Sequence, residues 1–327
     1  MLVDPALLHR LEQLSLVARR TRAGQTAGER RSTKRGASVE FADYRDYTRG
    51  DDLRSVDWNI YARLERPFVK LFEEEEDLAV HILLDGSGSM DWGGESASQR
   101  VSESASQRVG EVNKWVYARR LAAALGYIAL TSGDRLTVAN LQSLGEKLGF
   151  SPKPGFWQFG PVRGRGHTLR LFEWLENLAA AGATDLNAAL RAYAIACGRP
   201  GLVVLISDLF SPMYPERSEA TPAGYVEGVT ALAARGHEVV VIHTLSPDEV
   251  EPPLGGDLRL LDVETGDPQE VTIDARMRVL YRRRLAAWRD EIRATCRARD
   301  VSYVSIETDT PFDRAALYDL RKAGFVR

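Results

Sequence analysis

The sequence predicts an α/β protein built on a doubly wound, mostly parallel sheet with helices on both faces, an N-terminal extension and a β-hairpin insertion. Three observations carry this. From Ala79 onward, short apolar runs alternate with helical patterns, and such alternation builds right-handed βαβ crossovers. The runs, Leu202-Val203-Val204-Leu205-Ile206 among them, are almost free of polar residues, as strands covered on both faces are. Hydrophobic residues make up 44% of the 327, enough for a large packed domain.

Residues 1–77 read as the extension. Leu7, Leu8, Leu11, Leu14 and Val17 recur at helical spacing, predicting a helix over 4–20. Two basic runs follow, Arg19-Arg20-Thr21-Arg22 and Arg30-Arg31-Ser32-Thr33-Lys34-Arg35. They read as a solvated loop, with a patch for an acidic partner as the alternative. Residues 45–63 mix arginines, aspartates and aromatics. The block reads as a surface that docks the extension, with Trp58 and Tyr61 buried, or else as a partner-facing surface. Glu73-Glu74-Glu75-Glu76 reads as the solvated face of a strand or its edge, or as an acidic ligand offered to another metal site.

Residues 78–327 read as the main domain. Strands are expected at 80–84, 136–141, 202–206, 239–243 and 301–306, and helices at 114–130, 169–180, 185–197, 223–234, 276–299 and 312–322. A hairpin insertion is expected over 257–274, around Glu264-Thr265-Gly266-Asp267-Pro268. A second insertion, 95–109, repeats Glu-Ser-Ala-Ser-Gln-Arg-Val twice. It is too short for a solenoid and has little to bury, so it reads as a polar loop.

Composition narrows the function. With 43 basic and 46 acidic residues the net charge is -3, which gives no electrostatic case for nucleic acid. Cys197 and Cys296 lie far apart and form no CxxC, which argues against a disulfide framework or a thiolate zinc site. The first residues lack a basic start followed by an apolar core, so no signal peptide is expected. No run approaches the roughly 18 apolar residues of a membrane span. The expected location is cytoplasmic.

The chemistry-bearing motif is Asp85-Gly86-Ser87-Gly88-Ser89, at the end of the first strand of the main domain. Alternate residues of an extended stretch point the same way, and glycine permits the turn. One carboxylate and two hydroxyls therefore converge. Ligand sites in open α/β sheets gather at the carboxyl ends of strands, near a topological switch. Two further segments qualify. Asp208 follows the strand at 202–206, and Thr184-Asp185 precedes a helix that Asp185 alone can cap. Asp85, Ser87, Ser89, Thr184 and Asp208 are the candidate ligands. Two carboxylates with three hydroxyls fall short of a Ca²⁺ cage and suit a Mg²⁺ ion that keeps water or accepts an outside ligand.

Asp85-x-Ser87-x-Ser89, then Thr184, then Asp208, resembles the metal-ion-dependent adhesion site of von Willebrand factor A domains. The resemblance spans 78–327 and implies that Rossmann-like fold, with Mg²⁺ at the site (Mn²⁺ or Ca²⁺ as alternatives). It implies that Ser87, Ser89 and Thr184 contact the cation, that Asp85 and Asp208 act directly or through water, and that a partner protein supplies a Glu or Asp. The N-terminal part, Tyr44-Arg45-Asp46-Tyr47-Thr48-Arg49-Gly50-Asp51-Asp52-Leu53-Arg54-Ser55-Val56-Asp57-Trp58-Asn59-Ile60-Tyr61-Ala62-Arg63 with Val69-Lys70-Leu71-Phe72-Glu73 after it, resembles the fifty-eighth bacterial domain-of-unknown-function family. Its members are usually encoded beside MoxR-type AAA+ ATPases, which implies such a partner and an adaptor role. The 95–109 repeat departs from that family's shorter link.

An enzyme is the competing reading: a metal-dependent phosphatase or hydrolase with Asp85 as nucleophile. Phosphatases with a strand-terminal Asp need a second acid two residues later, and that position is Ser87. Ser87 lacks the outer glycines of a G-x-S-x-G elbow. The five histidines form no HxH or HExxH pair, and His81 and His243 read as structural. The expected protein is not an enzyme.

Overall fold

The computed structural model describes residues 2–18, 39–48, 51, 53, 56–74, 78–93, 112–144, 153–210, 224–261 and 268–327. The basic runs at 19–22 and 30–35, the 95–109 repeat and the turn of the predicted hairpin lie outside the described residues. The chain forms two compact units, Met1–Gly24 with Leu78–Arg327, and Gln25–Asp77.

The first helix, α1 (Pro5–Leu11), starts at Asp4, whose carboxylate accepts the Ala6 N–H at 2.8 Å. Pro5 sits where a helix needs no N–H donor. The helix is shorter than the predicted 4–20. Ser15 and Val17 donate their N–H groups to Arg327 and Phe325 carbonyls at 2.9 Å, and Leu16 bridges Val326. The C-terminal segment thus takes the backbone bonds that a longer helix would make internally. The opening residues accordingly belong with the sheet unit, not with an extension running to residue 77.

The smaller unit holds β1 (Val39–Asp46), α2 (Trp58–Leu64) and β2 (Phe68–Glu74). β1 and β2 pair antiparallel, with a shift in register between Phe41 and Asp43. Asp57 caps α2 by accepting the Asn59 and Ile60 N–H groups at 2.9 and 3.3 Å. Arg45 is held by Asp51 at 2.8 Å. The expectation that the aromatics of this block are buried is corrected: Trp58 is 58% and Tyr61 44% exposed. They stack edge to face on one surface of α2, with centroids 6.0 Å apart.

The larger unit runs β3 (Ala79–Asp85), α3 (Lys114–Thr131), β4 (Arg135–Leu144), β5 (Lys153–Arg163), α4 (Thr168–Glu176), α5 (Leu186–Ala196), β6 (Leu202–Ser207), α6 (Val226–Ala234), β7 (Glu238–Leu245), α7 (Pro247–Val250), β8 (Gly256–Leu261), β9 (Pro268–Ile273), α8 (Ala275–Arg297) and β10 (Ser302–Glu307). Three last turns, Phe312–Arg314, Ala315–Asp319 and Leu320–Lys322, form one helical stretch with a π turn at its centre. Strand order is β10-β7-β6-β3-β4-β5. All neighbours are parallel except β5, which pairs antiparallel with β4. The predicted hairpin is present as β8 with β9. β5 is the strand that the apolar pattern misses. Pro154, Gly155, Gly160 and Pro161 interrupt it, and an edge strand tolerates them because only one side needs a ladder.

Alternation along the strands supplies both faces. Val80, Ile82, Leu84, Leu202, Val204 and Ile206 pack with α1, α3 and α4. Leu83, Val203, Leu205, Val239 and Val241 pack with α5, α6 and α8. Each fully buried Leu or Val contributes about 1.5–3 kcal/mol, so the two layers lock the register of the central strands. The chain leaves β3 for β4 on one side and later returns to place β6 on the other. Winding therefore reverses between β3 and β6, and the loops leaving these strands part to form a crevice at their carboxyl ends.

Candidate functional site

Both loops at that crevice carry predicted residues. β3 ends at buried Asp85, and Gly86 follows with its N–H bonded to the Leu141 carbonyl at 2.9 Å. A Cβ at Gly86 would lie 2.4 Å from Asn140 Oδ1, so this close approach requires glycine. The Gly88 N–H donates to the Gly182 carbonyl at 2.7 Å, and the Ala181 N–H to Gly86 at 2.9 Å. These bonds stitch the DxSxS loop to the segment before α5. Asp185 caps α5 through the Ala188 N–H at 2.9 Å. Thr184 is thereby spared the cap. Its Oγ1 is buried and has no hydrogen-bond partner among the described residues.

Asp85 Oδ1 accepts the Ser87 N–H at 3.1 Å, and the Ser87 and Ser89 hydroxyls lie 3.0 Å apart. Asp85 Oδ2 accepts the Ser207 hydroxyl at 2.5 Å, and Ser207 Oγ accepts the Leu209 N–H at 2.8 Å. Leu209 has φ 57°, a left-handed turn that carries the chain out of β6. Asp208, also fully buried, accepts the Phe210 N–H at 3.1 Å on Oδ1 and the Lys114 ammonium at 2.7 Å on Oδ2. Lys114 also donates to Glu249 Oε1 at 2.5 Å. Glu249 closes a capping box with Ser246 on α7.

The five predicted residues thus meet at one end of the sheet. Sequence reasoning missed Ser207, Lys114 and Glu249. Their legible signals were a strand-terminal hydroxyl, a lysine opening an otherwise apolar helix, and the Ser246-x-x-Glu249 box. Electrostatically, Asp208 and Glu249 share the Lys114 ammonium, and Asp85 lies beside them without it. Burial, then the neighbouring Asp208 charge, pushes the Asp85 carboxyl up to about 6, against the pull of the Ser207 and Ser87 hydrogen bonds. Burial works against the Lys114 charge, but Asp208 and Glu249 outweigh it and hold the ammonium above its ordinary range.

The residues present fit a hard divalent cation. Thr184 Oγ1 is a buried oxygen without a hydrogen-bond partner among the described residues, the Ser87 and Ser89 hydroxyls lie 3.0 Å apart with the Ser87 side chain also bonded to Asp85, and Asp85 is an acceptor-rich carboxylate with no cation paired to it among the described residues. All are oxygen donors, the class Mg²⁺ takes. Asp208 already holds Lys114 and contributes chiefly charge.

A second cluster, His81, Cys197 and His237, has ligand-type atoms within 4.8 Å of one another near the opposite end of the strands. Three of its four ring nitrogens are engaged. His81 Nδ1 meets Tyr193 OH at 2.9 Å and Nε2 the Arg199 carbonyl at 3.2 Å, while His237 Nδ1 accepts the Gly201 N–H at 3.3 Å. A metal there would displace these bonds. His243 is likewise bonded, through Nδ1, to Tyr303 OH at 2.7 Å.

Comparison with known proteins locates the chain. The family model described as protein of unknown function DUF58 matches residues 43–291. An uncharacterized protein of Mycobacterium bovis is 28% identical over 312 residues, covering 94% of this chain and 86% of the relative. An uncharacterized Mycobacterium avium protein is 38% identical over 125 residues, 38% of this chain and 68% of the relative. Among solved structures, an aerotolerance-related membrane protein of Bacteroides fragilis aligns with TM-score 0.38 at 16% identity, over 75% of this chain and 99% of that one. BatB of Bacteroides thetaiotaomicron aligns with TM-score 0.39 at 16% identity, over 75% and 98%.

Proposed function

The chain belongs to the DUF58 family of proteins of unknown function, and from that premise we propose that it is a non-catalytic, Mg²⁺-dependent protein-binding adaptor. In this reading the larger unit is a von Willebrand factor A-like domain whose crevice is a metal-ion-dependent adhesion site. The adaptor works in the cytoplasm with a MoxR-type AAA+ ATPase, in maturation or remodelling of a client complex. The single observation that carries the reading is the unpaired Thr184 hydroxyl, buried beside the DxSxS loop. A buried polar atom without a partner costs about 1–3 kcal/mol, and a bound cation offsets that cost.

A Mg²⁺ ion, when bound, supplies an open position for a partner's carboxylate. Asp85, Ser87, Ser89 and Thr184 are the residues that would hold it. Ser207 orients Asp85, and Lys114 with Glu249 fixes Asp208. Against the hydrolase alternative, the position two residues after Asp85, where a phosphatase of that type carries its general acid, is Ser87. Exposed Trp58, Tyr61 and Leu64 on α2 favour a partner-facing role for the 45–63 block.

The test is recovery of partners from native lysate by wild type with Mg²⁺, wild type with chelator, and Thr184→Ala. The expected result is an AAA+ ATPase recovered only in the first. Equal recovery in all three removes the metal from the mechanism. Phosphatase turnover abolished by Asp85→Asn would instead establish the enzyme.

A further inference from the structure

Helix α8 is longer than the sheet it covers. Its 23 residues span about 35 Å at 1.5 Å per residue, whereas the six residues of β10 span about 20 Å. A crossover helix leading into a parallel strand starts at the carboxyl end of the sheet, so the surplus lies at the end that carries the crevice. Burial agrees. Leu285, Ile292 and Cys296 are the buried residues of α8, and every residue from 275 to 284 is exposed. One contact from this overhang, and one from the turn that follows it, lie beside the site. Tyr281 OH donates to the Glu249 carbonyl at 2.5 Å, and Trp288 stacks on Phe210, two residues past Asp208, with centroids 5.0 Å apart.

The overhang has one sign of charge. From 275 to 289 there are six arginines and no acidic residue, although the whole chain is net negative. At 100° per residue, Arg276, Val279, Leu280 and Arg283 fall on the side away from Leu285 and Ile292, and Arg284 flanks that face. Val279 is 61% and Leu280 43% exposed. Arg276, Arg283 and Arg284 make no ion pair among the described residues, whereas Arg282 pairs with Glu251.

We propose that the exposed outer face of α8 is the docking surface for an acidic polypeptide segment whose leading carboxylate enters the crevice. Guanidinium groups bind carboxylates in bidentate fashion, and Val279 and Leu280 supply a small apolar anchor between them. An anionic bilayer is disfavoured because the apolar residues stand among arginines and form no continuous face to insert. A nucleic acid is disfavoured because this face carries no aromatic platform for stacking. The proposal rests on the metal reading for the position of the segment, and the two are read separately below.

The experiment measures binding of fluorescein-labelled poly-L-glutamate to the full chain by anisotropy, with Mg²⁺ and with chelator. The variants are Arg276→Gln/Arg283→Gln/Arg284→Gln and, as a charge-matched control on another surface, Arg314→Gln/Arg321→Gln/Lys322→Gln. Glutamine keeps helix propensity, and circular dichroism checks the fold. The α8 variant should bind about tenfold more weakly, with the control at wild-type affinity. Equal loss in both variants, no effect in either, or binding of phosphatidylserine vesicles or an oligonucleotide but not of polyglutamate would overturn the proposal. If chelator has no effect but the α8 variant loses binding, the arginine surface stands and the metal reading falls. If chelator abolishes binding and the α8 variant matches wild type, the metal reading stands and this proposal falls.

Discussion

Lys114 Nζ lies 2.7 Å from Asp208 Oδ2, and neither side chain has any exposed area. Glu249 completes the ammonium's surroundings at 2.5 Å. Two charges buried together need each other, since removing one strands the other in a low-dielectric interior. Lys114→Met is therefore expected to destabilise the protein by about 3–5 kcal/mol, measured by urea denaturation. Lys114→Met/Asp208→Asn should recover part of that loss, and a double variant no better than the single one would show that the pair is not coupled.

Thr184→Val keeps the volume of the side chain and removes an oxygen that makes no hydrogen bond. Folding stability in chelator should rise by about 1–3 kcal/mol, because the desolvation cost of the unpaired oxygen is removed, while Mg²⁺ affinity falls by an order of magnitude or more. Thermal denaturation in chelator and calorimetric Mg²⁺ titration separate the two effects. A large loss of stability in chelator would assign Thr184 a structural role instead.

Gly86→Ala would put a Cβ 2.4 Å from Asn140 Oδ1. The expected cost is about 1–3 kcal/mol of overpacking. Gly86→Ala/Asn140→Ala should regain much of it, because the clashing group is then gone. A melting temperature of the double variant no higher than that of Gly86→Ala would place the strain elsewhere.

His81 faces Tyr193 on α5, Cys197 and His237. Burial, then the His237 charge, lowers it to about 4. Its folded value lies below its unfolded one, so the unfolded chain takes up the proton first as pH drops. The stabilisation is complete above about pH 6.5 and is lost as pH falls towards 4, up to about 3 kcal/mol. His81→Gln should flatten the stability profile across that window, as read by denaturation at stepped pH.

The strands β3, β6 and β7 are legible because their runs are apolar, save for His81 in β3 and His243 in β7, and buried on both faces. β5 is not, because an edge strand tolerates the prolines and glycines that disguise it. The helix stops short of 20 because burial beyond Leu11 alternates over Leu14, Leu16 and Ala18, with Val17 only half-buried, and the segment bridges to the C-terminal residues instead. In the crevice, Asp85, Ser87 and Ser89 were legible because they share one strand end and alternate. Trp58 and Tyr61 were misjudged because an aromatic's burial depends on what covers it, which spacing does not encode.

Local sequence determined the doubly wound α/β class, the oxygen-rich loop after β3 and the cap that leaves Thr184 unpaired. Only the tertiary structure decided which charges the loop would face. Lys114 meets Asp208 across 94 residues and Glu249 across 135, and no periodicity or motif spans such separations. These contacts exist because β6 returns to the far side of β3 and the parallel sheet brings the carboxyl ends of its strands together.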